Sequence, residues 1–216
     1  MSDGQELLIK AVVILVMLGI AFPVHEFSHA LAAYRLGDST ARYLGRLTLD
    51  PRVHFDPMGG LLMIISVLAG VGIGWAKPTP YNPYNLRGGR WGEALVSLAG
   101  PISNLVLAIA GAIPLRFLIA THMDAEFFVV FFSFFVQINL LLMVFNLIPI
   151  PPLDGSKLLY AALDAQTERQ VRPVLDQYGM FILLALILLP NLGGPDVIGA
   201  VFGAVIEPLE RLLIGI

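Results

Sequence analysis

About half of this chain lies in long stretches that carry almost no charged side chain. A transmembrane helix needs about 20 consecutive apolar residues to cross the hydrocarbon core of a bilayer. Stretches of this kind, uncharged apart from Lys10 in the first, occupy Leu7–Val24, Met58–Ala76, Ala94–Leu115, Phe127–Leu153 and Gly179–Pro195. A sixth, Val197–Ile206, is short and ends before Glu207. The pattern predicts an all-α polytopic membrane protein, a bundle of about four to six transmembrane helices.

The composition narrows the class of protein further. Hydrophobic residues make up 57% of the 216 residues and charged residues only 13%, whereas soluble domains carry about 45–50% and about 25%. The net charge of −3 and the lack of a basic stretch argue against a nucleic-acid partner, and the expected surroundings are a lipid bilayer. We expect a single domain over 1–216, with a core at 7–155 and additional membrane helices within 176–216.

Lysine and arginine indicate which ends of the stretches face the cytoplasm, because loops on that side are enriched in positive charge. Most of the 13 Lys and Arg residues lie after the first stretch, before the third or after the fourth. These three places share one side of the membrane only if Met58–Ala76 enters the bilayer and returns without crossing it. We therefore predict a re-entrant or hairpin-like segment there, covered by protein or lining a wet cavity.

A loose alternation of side-chain character between Gly37 and Pro57 predicts a small β element at the membrane surface. Over Tyr43–Leu49 the even-numbered and the odd-numbered positions carry side chains of different character, and Gly45 interrupts the pattern. Such alternation is typical of one or two short strands. We hypothesise that the edge of this element receives an unwound substrate segment by β-augmentation.

The densest group of ionisable residues is the run from His25 to His29, on the expected continuation of the first helix. Residues four apart project from one face of a helix, so His25 and His29 can supply two nitrogen ligands to zinc. Glu26 lies one position round the helix, which suits a general base for a zinc-bound water better than a ligand. Chance is a poor explanation, because ionisable residues are costly within an apolar segment and usually functional.

Two histidines leave a zinc site short of a protein ligand, and the chain has no cysteine to complete it. The best acidic candidate is Asp154, which follows a proline-rich run that ends the fourth stretch. If Met58–Ala76 does not cross the membrane, Asp154 reaches the same depth as the histidines. An ordinary turn or helix-cap aspartate is the alternative. We expect one zinc ion per chain.

Two motifs in this chain resemble the site-2 protease family of intramembrane zinc metalloproteases. They are His-Glu-Phe-Ser-His-Ala at 25–30 and Asn-Leu-Ile-Pro-Ile-Pro-Pro-Leu-Asp-Gly at 146–155. The intervening Gly-Arg-Leu-Thr-Leu-Asp-Pro, His-Phe-Asp-Pro-Met-Gly and Ala-Gly-Pro-Ile-Ser-Asn are similar to its short prokaryotic branch, which lacks PDZ and CBS domains. The resemblance covers residues from about Phe22 to Gly155.

The resemblance implies a function and a set of roles. Zinc binding is expected of His25, His29 and Asp154, and catalysis of Glu26. The implied activity is hydrolysis of peptide bonds in or near the transmembrane helices of membrane-protein substrates. The implied location is a prokaryotic inner membrane, with the active site toward the cytoplasmic half.

Three further polar residues are candidate members of the site. Asn146 could hold the substrate carbonyl or the oxyanion, or bond the freed carbonyls of its own helix end. Asn104 could do the same, or tie two helices together. His54 could support the zinc or act as a fourth ligand of the resting site, or belong to a turn stabilised by Asp56 and Pro57.

Two other functions fit parts of the pattern. A transporter or channel would also contain broken membrane segments and polar lining residues, but the two-part zinc signature argues against it. A catalytically silent relative would bind membrane helices without cutting them, and the intact Glu26 argues against that function.

Overall fold

The computed structural model describes residues 3–68, 74–123 and 125–215. Within these ranges every regular element is helical. The α-helices are α1 (Asp3–Val16), α2 (Phe22–Arg35), α3 (Thr40–Tyr43), α4 (Pro51–His54), α5 (Pro57–Leu68), α6 (Gly89–Ala120), α7 (Glu126–Asn146), α8 (Gly155–Ala162), α9 (Ala165–Leu188) and α10 (Val197–Ile214). A π-helical turn, Met17–Ala21, joins α1 to α2, and 3-10 turns form at Pro83–Asn85 and Leu189–Leu192.

Four helical segments are long and apolar enough to cross a membrane. In the described part of the chain they are Ala11–Arg35, Gly89–Ala120, Glu126–Asn146 and Ala165–Leu192. The predicted all-α bundle is therefore confirmed, and the chain is a multi-pass membrane protein.

Helix α7 takes part in two hydrophobic clusters. On one side its residues Phe135, Ile138 and Leu142 pack against Met17 and Phe22 of the first membrane segment. On the other side α7 packs with α6 and α10 in a second cluster, formed by Ala108, Ala112, Leu115, Val136, Leu140, Met143, Val144, Ile206 and Ile214. Small residues let membrane helices approach closely, and the abundance of alanine on α6 fits its tight packing on α7.

The two ends of the predicted re-entrant segment lie side by side. The N–H of Lys77 donates to the carbonyl of His54 at 2.8 Å, which joins the chain before α5 to the chain after it. Gly74 is so close to α5 that an added Cβ would lie 2.3 Å from the Cβ of Met63. The described flanks thus have the arrangement of a hairpin, while residues 69–73 lie outside the described residues. Its depth in a bilayer stays a prediction.

The prediction of a β element at Tyr43–Leu49 is wrong, because the described residues of the chain contain no strand. Asp38 accepts hydrogen bonds from the N–H and hydroxyl of Thr40, at 3.3 and 2.7 Å, where the short helix α3 begins. Gly45 then turns the chain with a φ of +69°. Arg46, which follows, is only 4% exposed. The proposed substrate edge is lost with the strand.

Candidate metal centre

The two histidines of the motif lie on α2, one turn apart and both buried. Pro23 stands in the first turn of this helix. A proline ring inside a helix clashes with the carbonyl four residues earlier, and here that residue is Gly19, within the π-helical turn. The wider turn relieves the clash, so Ala11–Arg35 continues as one helical segment that is long and apolar enough to cross a membrane and that carries His25 and His29.

Three potential ligand atoms converge at this point. The Nε2 atoms of His25 and His29 lie 3.0 Å apart. Oδ2 of Asp154, which precedes α8, lies 3.2 Å from Nε2 of His25 and 3.3 Å from Nε2 of His29. Among the described residues these three form a group whose ligand atoms all lie within 4.8 Å of one another. The structure therefore brings together residues that are far apart in the sequence.

The carboxylate of Asp154 gives the clearest indication that this group binds a cation. Its Oδ2 atom is buried and has no hydrogen-bond partner among the described residues. A carboxylate oxygen is thus buried 3.2 and 3.3 Å from two imidazole nitrogens. Two His nitrogens and one carboxylate oxygen are a common protein ligand set for catalytic zinc, so these residues fit that metal.

The hydrogen bonds behind the imidazoles leave their Nε2 atoms free. Nδ1 of His29 lies 2.7 Å from the carbonyl oxygen of Val96, which can only accept, so Nδ1 carries the proton. Nδ1 of His25 lies 2.6 Å from Oδ1 of Asn104. A protonated Nδ1 on each neutral ring presents an Nε2 lone pair to the ligand point, which is the form that binds a metal.

Helix α6 supplies the support for all three candidate ligands. Besides Val96 and Asn104, it carries Ser97, whose hydroxyl donates to Oδ1 of Asp154 at 3.2 Å. It also carries Gly100, where an added Cβ would lie only 2.5 Å from Nε2 of His29 and 2.6 Å from Nε2 of His25. Sequence reasoning found Asn104 but missed Ser97 and the roles of Val96 and Gly100. The signal was present as polar and small residues on one face of α6.

Glu26 is not part of the three-residue group, as its position on the helix predicted. Its Oε2 accepts a hydrogen bond from the N–H of Thr79 at 2.7 Å, and its carbonyl accepts one from the Thr79 hydroxyl at 2.9 Å. Thr79 belongs to an extended strap, residues 74–82, between α5 and the Pro83–Asn85 turn. Sequence reasoning gave no role to this strap.

The strap is held at several points along its length. The buried guanidinium of Arg46 donates to the carbonyls of Lys77 and Pro78. At its far end, the N–H of Asn82 donates to Oδ2 of Asp38 at 2.9 Å. These contacts fix the strap against the helix that carries Glu26, and they explain why Arg46 and Asp38 are buried.

Two other predicted site residues form hydrogen bonds with backbone carbonyls. The side-chain amide of Asn146 donates to the carbonyl of Leu142 at 2.9 Å, which is the helix-end arrangement. His54 is 1% exposed and its Nε2 donates to the carbonyl of Thr48 at 2.8 Å. The structure does not place His54 in the group of His25, His29 and Asp154.

A charged cluster beside the site ties α9 to α6. Arg172 of α9 pairs with the buried Glu93 of α6 at 3.2 Å and with Glu168 of its own helix at 3.2 Å. Its guanidinium also lies over the ring of Tyr160 in α8, 5.0 Å from the ring centre. The cluster fixes the start of α9 against the helices that hold Asp154.

Comparisons with known proteins agree with the geometry. The model of the family described as Peptidase family M50 matches residues 114–190. A protein of Bacillus subtilis, provisionally named zinc metalloprotease YwhC, is 37% identical over 210 residues, covering 91% of this chain and 93% of that protein. Proteins provisionally named zinc metalloprotease Rip2, from Mycobacterium tuberculosis and Mycolicibacterium smegmatis, are 37% and 36% identical. They match over 88% and 84% of this chain and 73% and 69% of their own length. No solved structure matches.

Proposed function

The chain belongs to peptidase family M50, and we propose that this metalloprotease hydrolyses peptide bonds in or near the transmembrane helices of other membrane proteins. Its relatives carry zinc metalloprotease names, and its own helices are built for a membrane. The observation that carries the proposal is the convergence at one point of His25, His29 and a buried Asp154 oxygen that accepts no hydrogen bond within the described part of the chain.

In this proposal His25, His29 and Asp154 hold one zinc ion per chain. When bound, the zinc supplies Lewis acidity that activates water near neutral pH and polarises the scissile carbonyl. The chain contributes orientation, because α6 fixes each ligand from behind. Such outer contacts are worth about 10–100-fold in metal affinity in known sites.

Glu26 is the proposed general base. It takes a proton from the attacking water and passes it to the leaving amine. The N–H of Thr79 holds Oε2, which restricts the carboxylate and leaves Oε1 to reach the water. Thr79 is therefore a positioning residue for the base.

Asn104 and Asn146 have different places in this proposal. Asn104 contacts His25, so it supports a ligand rather than the substrate. Asn146 remains the candidate for holding the substrate carbonyl or the oxyanion. To do so its amide must leave the carbonyl of Leu142, to which it now donates.

The proposed setting is a prokaryotic inner membrane with the site toward the cytoplasmic half. The support is the grouping of Lys and Arg at the predicted inner ends of the membrane segments. The proposed partners are transmembrane protein substrates and the surrounding lipid, and the whole chain, 1–216, acts as one protease domain.

Metal content tests the proposed ligands. The purified protein should hold one zinc per chain, while His29→Ala and Asp154→Asn should hold far less at the same chelator concentration. Glu26→Gln is the matched control, because it alters the motif without removing a ligand and should keep its zinc. Zinc that stays bound to both ligand variants would refute this site.

A further inference from the structure

A second buried asparagine lies behind Asn104. Asn139 of α7 is fully buried, like Asn104, and its sequence surroundings gave no sign of a role. Its Oδ1 accepts a hydrogen bond from Nδ2 of Asn104 at 3.1 Å, and its Nδ2 donates to the carbonyl of Phe135 at 2.8 Å. With the contact from Asn104 to His25, these bonds form a continuous relay from α7 to the candidate metal centre.

The relay can run in only one direction. The carbonyl of Phe135 can only accept, so it must face the NH₂ of Asn139. The oxygen of Asn139 then faces Asn104, which must donate a hydrogen bond to it from its own NH₂ group. This leaves the oxygen of Asn104 facing Nδ1 of His25, so Nδ1 must carry the proton. Through three successive hydrogen bonds, a backbone carbonyl of α7 thus determines which nitrogen of His25 carries the proton and which can bind a metal.

We propose that Asn139 is a positioning residue that fixes the orientation of the Asn104 amide and thereby holds His25 in its metal-binding tautomer. This inference rests on the proposed function, in which His25 is a zinc ligand. Asn139 is not one of the three candidate ligands, and it acts through its hydrogen bond with Asn104.

The relay opposes a competing arrangement of the same side chains. If the Asn104 amide turned over, its NH₂ would face Nδ1 of His25 and the imidazole proton would move to Nε2. That proton would point toward Oδ2 of Asp154, which lies only 3.2 Å away. The resulting hydrogen bond would close the site without a metal. Asn139 disfavours this state, because the turned amide would set the oxygen of Asn104 against the oxygen of Asn139, and both side chains are fully buried.

The first test is zinc affinity by competition with a chelator. We expect Asn139→Leu to bind zinc about 10–100-fold more weakly, with KM for a transmembrane substrate unchanged once zinc is saturating. Cobalt-substituted protein should show a shifted visible spectrum. The control is Gln137→Leu, an exposed amide on the same helix, which should match the wild type in affinity and spectrum.

A second background separates positioning from packing. In the Asn104→Asp background the side chain facing His25 can only accept, so Nδ1 keeps its proton whatever stands at Asn139. There, Asn139→Leu should bind zinc at least as tightly as Asn104→Asp alone. An equal loss of affinity in both backgrounds would mean that Asn139 acts only through packing, and would overturn the proposal.

The remaining outcomes are also decisive. If Asn139→Leu does not fold, Asn139→Ser serves instead, because serine can bond its own helix but is too short to reach Asn104. Suppose that the wild type binds zinc and that His25→Ala does not. Full zinc affinity in the Asn139 variants would then refute the relay but not the metal site. A His25→Ala variant that keeps its zinc refutes the proposed metal site itself.

Discussion

The carboxylate of Glu26 accepts a 2.7 Å hydrogen bond from the backbone N–H of Thr79, which lies 53 residues later in the chain. The same threonine donates its hydroxyl to the carbonyl of Glu26. The residue proposed as the base is thus held by a strap that is itself tied down by Arg46 and Asp38. Orientation of the base depends on a segment outside the motif.

Removing that N–H should slow hydrolysis without releasing zinc. Thr79→Pro deletes the donor in an extended segment that already contains Pro78 and Pro80. We expect kcat to fall about 10–100-fold, because small displacements of a catalytic group have effects of this size. Thr79→Val keeps the N–H and loses only the hydroxyl bond, so its kcat should fall less. Equal kcat in Thr79→Pro and the wild type would contradict the positioning role.

Gly100→Ala should destroy the metal site. The added Cβ would fall 2.5 Å from Nε2 of His29, in the space where the ligand atoms converge. Zinc affinity should drop by at least about 100-fold, beyond the loss typical of an outer contact. The control is Gly203→Ala on α10, whose added Cβ meets only a side-chain atom of Glu207 at 3.8 Å. Normal zinc content in Gly100→Ala would contradict this close approach of Gly100 to the two histidines.

Ser97→Ala should weaken zinc binding modestly. The variant loses the hydroxyl that donates to Oδ1 of Asp154, so the carboxylate is free to rotate away from the histidines. We expect about tenfold weaker zinc affinity, measured by chelator competition. The control is Ser133→Ala, which changes the same residue type on α7. An equal loss of zinc affinity in both variants would contradict a role for the hydrogen bond from Ser97 to Asp154.

Arg172→Met should lower stability rather than metal affinity. It leaves the buried carboxylate of Glu93 without its ion pair, and because Arg172 is partly exposed we expect a loss of about 1–3 kcal/mol. Thermal unfolding in detergent measures this loss. Arg169→Met, at an exposed position on the same helix, should unfold at the wild-type temperature. If the two variants unfold alike, the cluster does not stabilise α9.

Local sequence patterns predicted the helices and the motif residues, because both depend on spacing along one segment. His25 and His29 share a helix face by periodicity alone, and the long apolar stretches require membrane helices. The contacts that support the candidate ligands could not be found this way: Asn104 was a candidate for another role, and Ser97 and Asn139 were not candidates at all. Ser97, Asn104 and Asn139 act across helix interfaces, and their residue types are common in membrane helices that simply pack together.

The strand prediction failed for a related physical reason. Alternating polarity at Tyr43–Leu49 resembles a pleated segment, but the residues that decide its conformation lie outside it. Asp38 stabilises a helical turn at its start, and Arg46 is drawn inward by carbonyls of the strap, more than 30 residues later. Such long-range contacts leave no periodic trace in the sequence.

The most direct test of the account is cleavage of a transmembrane substrate by the Glu26→Gln variant, with zinc measured in the same preparation. Gln keeps the size and the hydrogen-bonding oxygen of the side chain but cannot take a proton from water. We predict that the variant retains one zinc per chain and loses cleavage, while the wild type cuts the substrate. Cleavage at the wild-type rate by zinc-loaded Glu26→Gln would contradict the assignment of Glu26 as the base.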